Sequence, residues 1–288
     1  MSEAQYIQWF PGHMTKTRRQ MEKEIALVDA VAEIVDARIP ASSRNPDIPK
    51  LLGKKPMLVI LNKCDMADND ATADWIRWFE GQNIGAIAVD CRTGKGLNKF
   101  VPKVREILAD KIKANTEKGM AVKPLRLMVV GIPNVGKSTF INRMAGSNKA
   151  KTENRPGVTR GSQWFTVDKQ LELLDTPGVL WPKFEDKNVG ERLAFTGAVK
   201  DNVVDVELLG MRLLETLSKS YESLLIQRFG ELDFSLDSYD LLCAVAKKRG
   251  MVMRGGECDT LRASAMLLEE FRNCKIGKIS LERVNRNA

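Results

Sequence analysis

Apolar residues along this chain fall into two regimes. Up to about residue 175 they come in short runs of strand length, at Ala30–Asp36, Pro56–Leu61, Ile84–Val89 and Leu125–Val130, of which Pro56–Leu61 is continuous. A strand covered on both faces needs no polar alternation, so such runs predict buried parallel strands. Stretches of helical spacing alternate with them. One helix is expected from a Thr15 cap to about Val28, and a short one over Pro46–Leu52. A third carries Trp75–Gly81, and an amphipathic helix covers Leu97–Ile112. Another spans Lys137–Ala145. The segment Lys113–Pro124 is polar and basic and reads as a linker. Trp164–Val167 and Leu171–Leu174 read as a strand pair. From about Asn188 the strand signal fades, and Val206–Ser218, Tyr221–Phe229, Tyr239–Lys248 and Thr260–Phe271 all carry helical spacing. The pattern therefore predicts a doubly wound, mostly parallel α/β domain over residues 1–187. A small all-α domain follows over residues 188–288.

Composition narrows the class without fixing the chemistry. The 288 residues are 43% apolar and 28% charged, the balance of an ordinary globular protein. No apolar run approaches the roughly 20 residues of a membrane helix. The N-terminal residues lack the basic start and apolar core of a signal peptide, so a cytoplasmic protein without membrane contact is expected. The five cysteines include no Cys-x-x-Cys pair, and there is one histidine, His13. Free thiols are expected, and a zinc site is not. Net charge is +8, which suits a polyanionic partner. Residues 190–288 hold 15 basic and 15 acidic side chains, so the whole excess lies in the first 189 residues.

Three motifs supply the chemistry. Gly131-Ile-Pro-Asn-Val-Gly-Lys-Ser138 stands between a predicted strand and a predicted helix. Backbone N–H groups of such a loop wrap phosphate oxygens, and the helix N-terminus adds positive potential. Nucleotide contacts are expected from Asn134, Val135, Gly136, Lys137, Ser138 and Thr139. Lys137 would reach the β- and γ-phosphates and act in catalysis, and Ser138 would ligate Mg²⁺. Asp175-Thr-Pro-Gly178 ends a strand about 40 residues on. Asp175 there can hold Mg²⁺ through water, and the Gly178 N–H can meet the γ-phosphate. Asn62-Lys63-Cys64-Asp65 follows the strand Pro56–Leu61. Its Asp65 carboxylate matches guanine N1–H and the 2-amino group, donors that adenine lacks there. The Lys63 stem can lie over the purine face. Asp90-Cys91, ahead of Thr93-Gly94-Lys95-Gly96, sits where a loop would support the base, through backbone contacts. Between the phosphate loop and Asp175 lies Asn154-Arg-Pro-Gly-Val-Thr159-Arg-Gly161, a loop that can close over the γ-phosphate with Thr159 on Mg²⁺. These are the parts of a guanine-nucleotide-binding domain with GTP or GDP as its ligand. In the usual order the base reader comes last; here it comes first, so the domain reads as circularly permuted.

The three motifs, their permuted order, Trp9-Phe-Pro-Gly-His-Met14 and Asp36-Ala-Arg-Ile-Pro-Ala-Ser-Ser-Arg-Asn-Pro46 together resemble the ribosome biogenesis GTPase A family (RbgA/YlqF type). The resemblance covers essentially the whole chain, including Gly255-Gly256 in the helical part. It implies a circularly permuted P-loop GTPase fold and hydrolysis of GTP to GDP and phosphate. It also implies a role in late assembly of the large ribosomal subunit, binding to rRNA, and activation by the ribosome. Organelle members of the family carry targeting segments, so the present start at the aromatic motif favours a bacterial cytoplasmic protein.

What activates the attacking water is open on sequence grounds. Many GTPases place a Gln after Asp-x-x-Gly; here Val179 and Leu180 follow, and neither can orient water. His13 is one candidate, since imidazole titrates near neutral pH, and the family resemblance points to this histidine. The alternative is that it only packs in an N-terminal turn. A K⁺ ion on Asn134, adding positive charge beside the phosphates, is the other candidate. The two are compatible. Lys247, Lys248, Arg249 and Arg254 beside Gly250 and Gly255-Gly256 are candidate RNA contacts. Lys111, Lys113, Lys118, Lys149, Lys151 and Arg155 of the first domain are expected to share that role. No oligomerisation signature stands out, so a monomer is expected.

Overall fold

The computed structural model describes residues 21–118, 123–146, 162–176 and 186–284. Six strands form one sheet: β1 (Ala30–Asp36), β2 (Met57–Asn62), β3 (Gly85–Ala88), β4 (Leu125–Gly131), β5 (Gln163–Asp168) and β6 (Leu171–Asp175). Their order across the sheet is β3-β2-β1-β4-β6-β5, parallel except for the antiparallel edge strand β5. Every residue of β1 and β2 is buried; β2 is apolar up to its last residue, whereas β1 carries the buried Glu33, which accepts from Arg44 and the Asn45 N–H at 2.8 Å each.

Helices of this α/β unit are α1 (Asp47–Leu52), α2 (Asn69–Gly81), α3 (Phe100–Ile107), α4 (Ala109–Glu117) and α5 (Lys137–Met144). Asp68 caps α2 by accepting from the N–H groups of Asp70 and Ala71. Trp75 and Phe79 on α2 pack into the core beside β2, and Phe100 meets Phe140 edge to face at 4.9 Å. The helix expected over Leu97–Ile112 is two helices instead. Leu108, at φ −109 and ψ 13, breaks it, and α4 runs on to Glu117 through part of the expected linker. Expected helix start Thr15 lies outside the described residues; residues 21–25 are helical.

The parallel register sets where the chemistry sits. Asp36 pairs with Asn62, Ile34 with Gly131, and Val129 with Asp175. The C-terminal ends of β1, β2, β4 and β6 therefore share one edge. Connections from β1 wind one way to β2 and β3, while β4 and β6 lie on its other side. Sheets of this kind bind ligands at that switch, outside the carboxyl ends of the strands.

A second compact unit covers Lys187 to Leu281. It holds α6 (Lys187–Phe195), α7 (Val206–Ser218), α8 (Glu222–Phe229), α9 (Ser238–Lys248) and α10 (Thr260–Arg272). Helix α6 carries no strong sequence signal and was not expected. Asp205, Asp237 and Asp259 cap α7, α9 and α10. A Cβ on Gly210 of α7 would come within 2.3 Å of the Ser264 side chain of α10, so only glycine permits this crossing. Arg272 donates to the carbonyls of Ala194 and Phe195 at 2.7 and 2.9 Å, closing the C-terminus of α6.

After Leu281 the chain rejoins the α/β unit. Backbone N–H groups of Ala41 and Ser42 donate to the Glu282 carboxylate at 2.7 and 3.1 Å, as does the Ser42 hydroxyl. Trp75 Nε1 donates to the Glu282 carbonyl at 3.2 Å, Arg283 pairs with Asp68 at 2.7 Å, and Val284 packs against the core.

Candidate nucleotide site

The phosphate loop leaves β4 at Gly131 and enters α5 at Lys137. Asn134 adopts a left-handed φ of 62° and Gly136 one of 95°. At Gly136 a Cβ would meet Asn62 Nδ2 at 2.3 Å, so the turn requires glycine on both counts. Ser138 and Thr139 occupy the first turn of α5. Lys137 and Asp175 are both buried and form an ion pair. Burial pushes the lysine down and the carboxylate up, and each opposes the shift of the other. Thr176 Oγ1 donates to the Val129 carbonyl at 2.8 Å, pinning the end of β6 to β4.

Asn62 joins the base-reading segment to the rest. Its Nδ2 donates to the Val135 carbonyl at 2.6 Å, and its Oδ1 accepts from the Cys91 N–H at 3.0 Å. One buried amide thus ties the phosphate loop, the 62–65 turn and the 90–96 loop together. Lys63 follows with φ 60°, its ammonium 3.0 Å from Asp36. Asp65 is half-buried and pairs at 3.4 Å with the largely exposed Arg92. Asp90 accepts from the N–H groups of Arg92 and Thr93 and from the Thr93 hydroxyl, so its side chain shapes the loop itself. Burial and the neighbouring Asp90 push the Cys91 thiol up to about 12, which leaves its backbone as the useful group.

Asp36 and Arg38, which entered the sequence reading only as part of the family motif and with no role of their own, form a group beneath the base reader. Asp36, at the end of β1, accepts from Arg38 N and Nε at 3.0 and 2.9 Å and from Arg38 Nη2 at 2.7 Å. Both residues are buried. Burial alone would raise the Asp36 carboxyl; Arg38 and Lys63 outweigh it and hold the group well below the usual carboxylate range. The available signal was an acid closing an apolar strand, followed two residues later by arginine.

Ser138 and Asp175 offer hard oxygen donors on adjacent elements. That set fits Mg²⁺, which uses few protein oxygens and takes the remainder from phosphates and water. Among the described residues no three His, Cys, Asp or Glu side chains converge as a closed metal cage. His13, Thr159 and Gly178 lie outside the described residues, as do Lys149, Lys151 and Arg155.

In the helical unit Lys247 and Lys248 are exposed at the end of α9, and Arg254 is exposed in the turn with Gly255 and Gly256. Arg249 does not join them. It is half-buried, lies 5.0 Å from the Phe229 ring and pairs with Glu270, which also binds Arg228. Lys113 and Lys118 are exposed, while Lys111 pairs with Asp29.

A mostly parallel sheet with a phosphate loop, an Asp-Thr strand end and an Asn-Lys-x-Asp turn on one edge defines a P-loop GTPase. Comparison with known proteins agrees. The family model described as 50S ribosome-binding GTPase matches residues 126–229, starting at β4 and leaving the base reader N-terminal to the match. The chain is 45% identical over 276 residues to ribosome biogenesis GTPase A of Bacillus cereus, covering 96% of this chain and 93% of that one. It is 46% identical over 280 residues to the Bacillus licheniformis protein of that name, covering 96% and 98%. Solved structures of YlqF, one GDP-bound and one GNP-bound from T. maritima, are each 25% identical with TM-scores of 0.66 and 0.64. They cover 92% and 93% of this chain and 99% and 98% of theirs. This chain belongs to the ribosome biogenesis GTPase A family, and it is a GTPase with the circularly permuted fold of that family.

Proposed function

We propose that this protein is a GTP-driven switch in late assembly of the large ribosomal subunit. It binds rRNA or the pre-ribosome in the GTP state and leaves after ribosome-stimulated hydrolysis. The observation that carries the nucleotide part is the Asn62 side chain, which holds base-reading and phosphate-binding segments 73 residues apart in one site. Guanine is read by Asp65 and stacked on Lys63, with Asp90 and Cys91 supporting through the backbone. Asn134, Val135, Gly136, Lys137, Ser138 and Thr139 wrap the phosphates.

Nucleotide arrival replaces the Lys137–Asp175 pair with two better contacts. Lys137 turns to the β- and γ-phosphates. Asp175, freed of the lysine, would hold Mg²⁺ together with Ser138 and Thr159. When bound, Mg²⁺ neutralises phosphate charge and orients the γ-phosphoryl group. Gly178 donates its N–H to that group. Water attack on the γ-phosphorus yields GDP and inorganic phosphate. His13, a K⁺ ion on Asn134, or both supply the polar function that Val179 and Leu180 lack.

Lys247, Lys248 and Arg254 contact the RNA backbone, with Arg249 holding their scaffold through Glu270. The family names of the Bacillus relatives, and that of mouse mitochondrial ribosome-associated GTPase 1 at 32% identity over 96% of this chain, support the ribosomal partner. No helix among the described residues is long and apolar enough to cross a membrane. A cytoplasmic monomer fits this reading.

GTP turnover in KCl, with and without purified large subunits, tests it in wild type and His13→Ala. Strong stimulation by subunits, lost in the variant with GDP binding intact, is expected. No stimulation of the wild type would overturn the large-subunit role. Stimulation that survives the variant would move water activation to the cation or the rRNA.

A further inference from the structure

Base recognition by a lysine stem is a matter of aim. An unrestrained lysine spreads over many rotamers, and only those lying along the base face contribute to binding. In this chain Lys63 is not unrestrained. Its backbone is held at φ 60°, and its ammonium is fixed 3.0 Å from a carboxylate that is itself buried and immobile. Asp36 is fixed from three sides. Arg38 forks onto both carboxylate oxygens, and β1–β2 pairing sets Asp36 opposite Asn62. The Asp36 N–H donates to Ser43 Oγ at 3.0 Å.

That last bond leads into the Ala37–Asn45 loop. Ser43 Oγ also donates to the Ile39 carbonyl at 2.7 Å, closing the loop on itself. Ala41 and Ser42, immediately before Ser43, donate both backbone N–H groups and a hydroxyl to Glu282. A carboxylate taking three donors from one turn holds that turn as an anion holds a nest of amides. Glu282 is buried and 240 residues away in sequence.

We propose that Asp36 is a positioning residue for base recognition. It holds the Lys63 ammonium so that the lysine stem forms one wall of the guanine pocket. Glu282 clamps the loop whose Ser43 fixes Asp36. The C-terminal residues thereby tune nucleotide affinity without touching nucleotide. The proposal rests on Lys63 lying against the base, and the test separates the two.

GDP dissociation constants would be measured by titration of the full-length protein, for Lys63→Met, Lys63→Ala, Asp36→Asn, Glu282→Gln and each of the last two combined with Lys63→Met. Methionine keeps most of the apolar stem and removes the ammonium. Asp36→Asn should weaken GDP about tenfold and Glu282→Gln about threefold, the scale of losing or loosening a charged hydrogen bond. In the Lys63→Met background both effects should shrink to less than about twofold, because the path runs through the ammonium. A merely structural role predicts full additivity, and additivity would overturn the proposal. Asp36→Asn strands the buried Arg38 guanidinium. If that variant does not fold, the Glu282→Gln cycle decides by the same criterion. Unchanged GDP affinity in Lys63→Met would mean that the ammonium anchor adds nothing and would overturn the positioning role, while unchanged affinity in Lys63→Ala, which removes the stem, would overturn the base-stacking role and the positioning role with it.

Discussion

Asn62 ties two separate loops to one strand end with a single side chain. It sits at the end of a fully buried strand, and its amide is spent on one carbonyl and one N–H from two different loops. A buried amide with both ends satisfied is worth more than its bonds suggest, because removing it orphans both partners. Asn62→Ala should raise the GDP dissociation constant by about 10²-fold, each lost bond costing roughly 1–2 kcal/mol. Calorimetric titration reads this directly, and unchanged affinity would remove Asn62 from its bridging role. Asp65 stands in contrast. Its partner Arg92 is 75% exposed at 3.4 Å, a pair of little energetic weight that guanine can displace. The motif residues were legible because each carries its chemistry in its own type and spacing. Asp36, Arg38 and Glu282 were not. Their meaning lies in contacts with Lys63 and with a loop 240 residues distant, which no local pattern encodes.

Among the elements, hydrophobic runs gave the strands of the parallel sheet to within a residue or two, since strands covered on both faces are largely apolar, the buried Glu33 of β1 being tolerated through its pair with Arg44. The helices behaved less uniformly. Helix α4 buries nothing, so periodicity is silent over it, and its Ala, Lys and Glu content alone sustains the helix. Helix α6 is nine residues long and contains Gly190, which weakens the local preference. Its capping Asp186 was the one readable sign. In the helical unit a single carboxylate joins three elements. Glu270 on α10 accepts from Arg228 of α8 at 2.8 and 2.5 Å and from Arg249 after α9 at 3.2 Å. Burial alone would raise this carboxyl; Arg228 and Arg249 outweigh it and hold it below its ordinary value. A depressed carboxylate contributes stability that is present above the unfolded-state value of about 4.3 and is lost as pH falls towards the folded one. Glu270→Gln should therefore cost about 1–3 kcal/mol at pH 7. The gap to wild type should narrow below about pH 4. Denaturant melts at the two pH values measure it, and a gap independent of pH would mean that packing, not charge, is what the substitution removes.

Over the whole molecule, permutation changes what the Asp175–Gly178 segment is wired to. Asp175 ends β6, and α6 opens at Lys187. Only about a dozen residues separate the γ-phosphate side of the site from the first helix of the other unit. We propose that a nucleotide-dependent shift there is transmitted along the chain and that nucleotide state thereby sets the orientation of the helical unit. Small-angle scattering should differ between the GDP form and the form with a non-hydrolysable GTP analogue. Superimposable profiles, on and off the ribosome, would end the idea. Charge is divided in a matching way. The excess of +8 lies in the first 189 residues, and the helical part nets zero. If RNA is the partner proposed above, long-range attraction is expected from the GTPase half, with local lysines of the other half contributing contact rather than pull.

The return of the chain at Glu282 makes the helical unit a guest enclosed within its host rather than a tail hung from it. A tail melts on its own schedule. An inserted unit surrenders one of its two moorings if the turn after β1 that holds Glu282 opens, so the two are expected to lose structure together. Seen this way, the segment from Glu282 onward is more than trailing chain. Truncation after Leu281 would remove the Glu282 contacts to Ala41, Ser42 and Trp75. It would cut one mooring, leaving a protein with the same domains and a different grammar of unfolding.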